Sequence, residues 1–117
     1  MAWEFDNERP IYTQLLERIQ IMIVSGTYKP GEKLPSVREF AAVAGVNPNT
    51  MQRAMLELER EELVYAQRTS GRIITDNKEL IEKTREKLAM DKIKEFIKIM
   101  GELGYSKEEI VDMLNKS

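Results

Sequence analysis

The side chains best suited to chemistry in this 117-residue chain crowd into one short run, Asn47-Pro-Asn-Thr-Met-Gln-Arg53. Asn49 and Gln52 carry amides that donate and accept at once, matching the edge of an adenine. Arg53 offers a planar fork that matches guanine, and Thr50 can meet a phosphate or a thymine methyl. This is recognition chemistry rather than bond-making chemistry. The chain has no cysteine and no histidine, which excludes thiolate nucleophiles, disulfides, imidazole bases, a Ser-His-Asp triad and the ordinary zinc sites. Carboxylates, Lys, Tyr, Ser and Thr remain, with no convincing catalytic pair among them. The expectation is a protein that is not an enzyme and takes no metal or cofactor. Gly26-Thr-Tyr-Lys-Pro-Gly31 followed by Glu32-Lys33 nearly imitates a P-loop, but the lysine comes one position late and no strand precedes it, so nucleotide binding is rejected.

The elements that must position these residues follow from spacing. The run lies at the start of a helix, with Asn47 as N-cap, Pro48 as first helical residue and a buried stripe of Met51, Ala54, Met55 and Leu58, ending near Glu62. A shorter helix precedes it. Ser36-Val-Arg-Glu39 has capping-box spacing, Val37, Phe40, Ala41 and Ala44 form the apolar side, and Gly45 ends it. Two helices joined by Ala44-Gly-Val-Asn47 match a helix-turn-helix, whose second helix presents its first turns to base edges in the major groove. An earlier helix starts at Pro10, with Ile11, Leu15, Ile19 and Met22/Ile23 at helical spacing and Leu16 widening the stripe, and stops at Ser25-Gly26. Leu63–Gln67 and Arg72–Thr75 read as short strands around a hairpin tip, Arg68-Thr-Ser-Gly71. From Asn77 the pattern is helical again, with a last helix after the capping box Ser106-Lys-Glu-Glu109. The fold class is mainly α with a small β-hairpin: a winged helix-turn-helix domain over residues 1–76 and a helical tail over 77–117.

Charge agrees locally where the total does not. The net charge is −2, from 18 basic and 20 acidic side chains, which argues against a generally basic coat for nucleic acid. Yet no acid occurs between Phe40 and Leu56, nor between Leu63 and Thr75, where Arg68 and Arg72 stand. A phosphate backbone penalises acid at the surface that meets it, so the two gaps have a physical reason. Chance and ordinary capping are the plainer explanation. The hydrophobic share of 42% suffices for a core. The acidic start is unlike a signal peptide and no apolar run approaches a membrane span, so the expected location is cytoplasmic, without a membrane partner.

Three stretches carry a family resemblance: Pro10-Ile-Tyr-Thr-Gln-Leu15, Ser25-Gly-Thr-Tyr-Lys-Pro-Gly-Glu-Lys-Leu-Pro-Ser-Val-Arg38 and Val46-Asn-Pro-Asn-Thr-Met-Gln-Arg-Ala54. Together with Leu56-Glu-Leu-Glu-Arg-Glu-Glu-Leu-Val64, they resemble the GntR family of bacterial transcription regulators over residues 10 to about 75. The short two-helix tail is similar to the YtrA-like subgroup, which lacks a large effector domain. The resemblance implies a winged helix that binds a double-stranded operator as a homodimer. It places Arg38 at the DNA, puts Asn47, Asn49, Thr50, Gln52 and Arg53 on the contact face of the recognition helix, and assigns Arg68, Thr69, Ser70, Gly71 and Arg72 to the wing. The family's Gly-x-Gly-Thr wing tip is here Thr69-Ser-Gly-Arg72, so only Gly71 is kept. Plainer roles stand beside these. Arg38 can pair with a glutamate of its own helix, Asn47 is first a cap, and Arg53 can be a solvated surface charge.

A tail of about 40 residues is too small to fold unaided. Its stripe must cover the winged domain or a second copy, and Ile81, Leu88, Ile93, Phe96, Ile97 and Met100 are the expected dimerisation residues. A two-fold dimer would set two recognition helices on one face of DNA and read an inverted repeat. The tail leaves little room for a buried metabolite pocket. Any small effector, of unknown identity, would use a crevice between tail and winged domain or between subunits. The expected role is a transcriptional regulator, a repressor in the leading reading. The rival is a winged-helix scaffold for protein partners that binds no DNA.

Overall fold

The computed structural model describes residues 2–68 and 71–117. Its elements in chain order are α1 (Ile11–Val24), α2 (Val37–Ala44), α3 (Pro48–Arg60), β1 (Val64–Gln67), β2 (Gly71–Ile74), α4 (Lys78–Glu102) and α5 (Lys107–Lys116). This is the expected mainly helical chain with one small antiparallel hairpin. It divides into two compact units, residues 1–83 and 84–117.

In the first unit the helical stripes converge. Leu15, Ile19 and Ile23 of α1 meet Phe40, Ala41 and Ala44 of α2, and Met51, Ala54, Met55 and Leu58 of α3. The hairpin closes the core with Leu63, Val64 and Ile74, and the loop before α2 adds Leu34. Burying a large apolar side chain fully is worth about 1.5–3 kcal/mol, and Phe40, Met51, Met55 and Leu58 are each at most 1% exposed. They are core residues, as their spacing requires. Leu80 and Ile81, at the start of α4, pack against the same core, so compact packing in this unit continues past the start of the helix. The strands pair Val64 with Ile74 and Gln67 with Gly71. A rung that the sequence pattern did not reveal lies on the other side of β2, where Lys33 bridges Ile73. The Leu34 N–H donates to the Arg72 carbonyl at 2.9 Å and the Ile74 N–H to the Glu32 carbonyl at 2.8 Å. Strand β2 is therefore held along both edges.

The caps that set the helix-turn-helix are present. The Glu39 N–H donates to the Ser36 hydroxyl at 3.2 Å, while the Glu39 carboxylate accepts from the Ser36 N–H at 3.4 Å. Helix α2 stops at Gly45, whose φ of 74° lies in the left-handed region. A Cβ there would also stand 2.5 Å from the Ala2 Cβ, because the N-terminal arm crosses the turn with the Trp3 N–H on the Ala44 carbonyl at 3.1 Å. Trp3 settles edge-on against Phe40, ring centroids 5.5 Å apart, and beneath the Arg18 guanidinium at 5.0 Å. Gly45→Ala should therefore lower unfolding free energy by about 1–3 kcal/mol, from backbone strain plus the clash. Urea unfolding monitored by circular dichroism measures it, and an unchanged midpoint would contradict the account.

Helix α3 ends in a Schellman arrangement. The Glu62 N–H donates to the Glu59 carbonyl and the Leu63 N–H to the Leu58 carbonyl, at 2.9 and 3.0 Å. The residue that must turn left-handed is Glu62, at φ 64°, where glycine is the usual choice. The strain of an L-residue there is about 1–2 kcal/mol, against about 0.5–1 kcal/mol of added unfolded-state entropy for glycine. Glu62→Gly should thus stabilise the fold by up to about 1 kcal/mol. A lower melting temperature for that variant would overturn this reading.

The second unit is built differently. Helix α4 has no buried residue, and Met90, Ile93, Phe96, Ile99 and Leu103 are all exposed. Helix α5 starts at the Ser106–Glu109 capping box, at 3.2 and 2.9 Å. It buries Ile110 while Val111, Met113 and Leu114 stay exposed. No helix of the described residues is long and apolar enough to cross a membrane.

Candidate nucleic-acid interface

The recognition helix is α3, and its N-terminus is prepared by sequence. Pro48 needs no hydrogen-bond partner at the first position, and the Asn47 side-chain oxygen accepts from the Asn49 N–H at 2.7 Å. One lone pair of that oxygen serves the cap, and the amide nitrogen of Asn47 is left to donate. The stripe Met51, Ala54, Met55 and Leu58 faces the core, which forces the intervening residues outward. Asn49, Gln52 and Arg53 are exposed and Thr50 is half-buried. Arg38, the second residue of α2, is exposed and forms no ion pair with a described residue. Helix α2 packs against α3, so Arg38 and the first turns of α3 belong to one helix-turn-helix.

The arginines of the expected site fall into two groups. Arg38 and Arg68 are exposed side chains without ion pairs among the described residues. Arg53 and Arg72 are held by the protein itself. The Arg53 guanidinium lies 3.7 Å from the centre of the Tyr12 ring on α1, a cation–π contact that ties α3 to α1. Arg72, in β2, donates through Nε to Glu59 Oε1 of α3 at 2.6 Å, with only 19% and 28% of the two side chains exposed. Thr69 and Ser70 of the expected wing lie outside the described residues, and Gly71 opens β2 at φ 78°. Tyr12 and Glu59 are the partners that sequence reasoning missed. Tyr12 is half-buried on α1. Glu59 was one of several acids late in a helix, and neither carried a local signal for its contact.

Acid is sorted along α3. None lies in its first half, and the carboxylates collect at its far end. There Arg60 pairs with Glu57 and holds that carboxyl below its ordinary range through their hydrogen bond. Burial pushes the Glu61 carboxyl up, against a hydrogen bond from the Gln20 amide at 2.9 Å. The surface at the first turns therefore carries amide, hydroxyl and guanidinium groups with no acid in those turns, in the field of the helix's positive N-terminal end.

The profile of bacterial regulatory proteins of the gntR family matches residues 11–74, the span of the helix-turn-helix and hairpin just described. The chain belongs to the GntR family. Among curated relatives, this GntR-family chain is 39% identical over 109 residues to the helix-turn-helix-type transcriptional regulator YhcF of Bacillus subtilis, covering 93% of this chain and 90% of YhcF. It is 44% identical over 68 residues to the transcriptional repressor YtrA of the same organism, a match spanning 58% of this chain and 52% of YtrA. Together with the short helical tail, the YtrA match places it with the YtrA-like members. A GntR-family regulator from Listeria monocytogenes superposes with a TM-score of 0.87 at 42% identity, covering 97% of this chain and 99% of that one. The DNA-binding domain of AraR, solved in complex with operator ORX1, matches with a TM-score of 0.57 at 26% identity, covering 64% of this chain and 99% of that domain. The relatives are transcriptional regulators rather than enzymes, and this chain is a DNA-binding transcription regulator of their family.

Proposed function

We propose that the chain binds a double-stranded inverted-repeat operator as a homodimer, and that it acts as a repressor in the cytoplasm. The observation that carries the DNA-facing side is the exposed set Arg38, Asn49 and Gln52, with half-buried Thr50, around an N-terminus of α3 free of acid. Arg38 and Thr50 secure the helix-turn-helix to the backbone or a base edge, and the two amides read bases in the major groove. Arg68 at the wing adds a phosphate contact. The repressor sign is supported by relatives that bear that name, YtrA and NagR.

The homodimer rests on the tail. Ile93 and Phe96 are exposed in the single chain while Leu88, Ile97 and Met100 are half-buried, and a 25-residue helix with no buried side chain gains its apolar burial only against something else. A second copy of α4 supplies it and carries the second recognition helix with it. Ile81 already packs on the winged core, so the dimerisation face is drawn from Leu88 onward.

Duplex binding titrated across salt concentration tests the DNA reading. Affinity should fall linearly on a log–log plot, with a slope near −0.9 for each phosphate neutralised. Affinity absent, or indifferent to salt, would favour a winged helix that serves protein partners.

A further inference from the structure

Among the arginines of the expected DNA face, Arg72 is bound most tightly to the protein itself. Its backbone is fixed on two sides: the carbonyl accepts from the Leu34 N–H at 2.9 Å, and across the hairpin the residue pairs with Ala66. Its guanidinium Nε–H donates to the Glu59 carboxylate at 2.6 Å, and both side chains are more than two-thirds covered. Glu59 sits in the last turns of α3, and Arg72 is the second residue of β2, immediately after the wing tip. The contact is the charged cross-link between recognition helix and wing among the described residues.

We propose that Arg72 and Glu59 form a strut that fixes the wing at its working angle to the recognition helix, and that Arg72 is a positioning residue rather than a phosphate contact. The inference rests on the DNA-binding reading given above. Arg68 directly follows β1, so the set of the hairpin on α3 decides whether it meets a phosphate. Strand β1 packs on α3, and this pair ties β2 to α3 as well. Because Glu59 neutralises Arg72, the pair adds no net charge to the surface facing DNA.

The test uses the sign of a charge effect. Removing an acid near a DNA-binding surface ordinarily strengthens binding, because it lifts repulsion from the phosphates. The strut predicts the reverse for Glu59→Gln. Operator affinity should fall about three- to tenfold, the scale of one lost pairwise contact, with the salt slope unchanged. Arg72→Gln should behave alike, and the exchanged pair Glu59→Arg with Arg72→Glu should recover most of the loss. Arg68→Gln, by contrast, should lower the magnitude of the slope by about one contact. The chain is used whole, and each variant's unfolding midpoint is measured beside its affinity. The exchanged pair restores the ion pair, which guards against mere loosening of the fold. Tighter binding by Glu59→Gln, a reduced slope for Arg72→Gln, or an exchanged pair weaker than both singles would overturn the strut while leaving the DNA reading intact. A wild-type chain with no salt-dependent duplex binding would overturn both.

Discussion

Placing aspartate at both Ile93 and Phe96 should convert the chain to a monomer and lower operator affinity by about 10²–10⁴-fold, the range lost when two linked half-site contacts become independent. In the single chain these side chains are 46% and 40% exposed, and neither belongs to the core of the winged domain. Across a two-fold interface the same change sets four carboxylates into an apolar face, and a charge buried there without a partner is strongly unfavourable. The two effects separate in measurement. Helix content and the unfolding of the winged core should persist, while sedimentation shifts from dimer to monomer and the inverted-repeat duplex is no longer held cooperatively. A variant that stays dimeric, or a monomer that binds the full operator as tightly as wild type, would count against the tail as dimerisation element.

Arg38→Ala should cost about 1–3 kcal/mol of operator affinity, or roughly five- to 150-fold, with the dimer and the fold unchanged. The structure supports this because Arg38 is exposed and forms no ion pair with a described residue, so little in the protein depends on its charge. The salt slope then distinguishes its target. A slope smaller by about one means a phosphate, whereas an unchanged slope with relaxed sequence preference means a base edge. Affinity equal to wild type at moderate salt would remove Arg38 from the interface.

The features legible in the sequence are those written in short spacings. The capping boxes at Ser36 and Ser106 each involve residues three apart and occur as expected. The stripe Met51, Ala54, Met55 and Leu58 follows helical periodicity and is buried. Contacts between distant segments were not legible. Nothing near Arg53 announces that its guanidinium will stack on Tyr12, and nothing near Arg72 announces Glu59, because both pairs depend on how α3 packs against α1 and the hairpin. Likewise, the Gly45 turn has its local reason in helix termination, but its second constraint, the approach of Ala2, comes from a different part of the chain. The two wing strands fall within one residue of their expected bounds despite being only four residues long, whereas the rung between Lys33 and Ile73 has no sequence signature.

The charge pattern is the clearest case of sequence meeting structure. A net charge of −2 is unhelpful for DNA as a total. Sorting along α3 resolves the conflict: amides, a hydroxyl and a cation occupy its first turns, while Glu57, Glu59 and Glu61 stand at the far end and hold Arg60, Arg72 and Gln20. The acids are used internally, to anchor neighbours, and are kept from the surface that would meet phosphate.

The central claim is a sequence-specific dimer on duplex DNA, and selection of bound duplexes from a random pool tests it most directly. The account predicts enrichment of an inverted repeat whose half-sites are centred about one helical turn, or a multiple of it, apart. A pool that shows no enrichment, or a single asymmetric site bound by one copy of the chain, would contradict it.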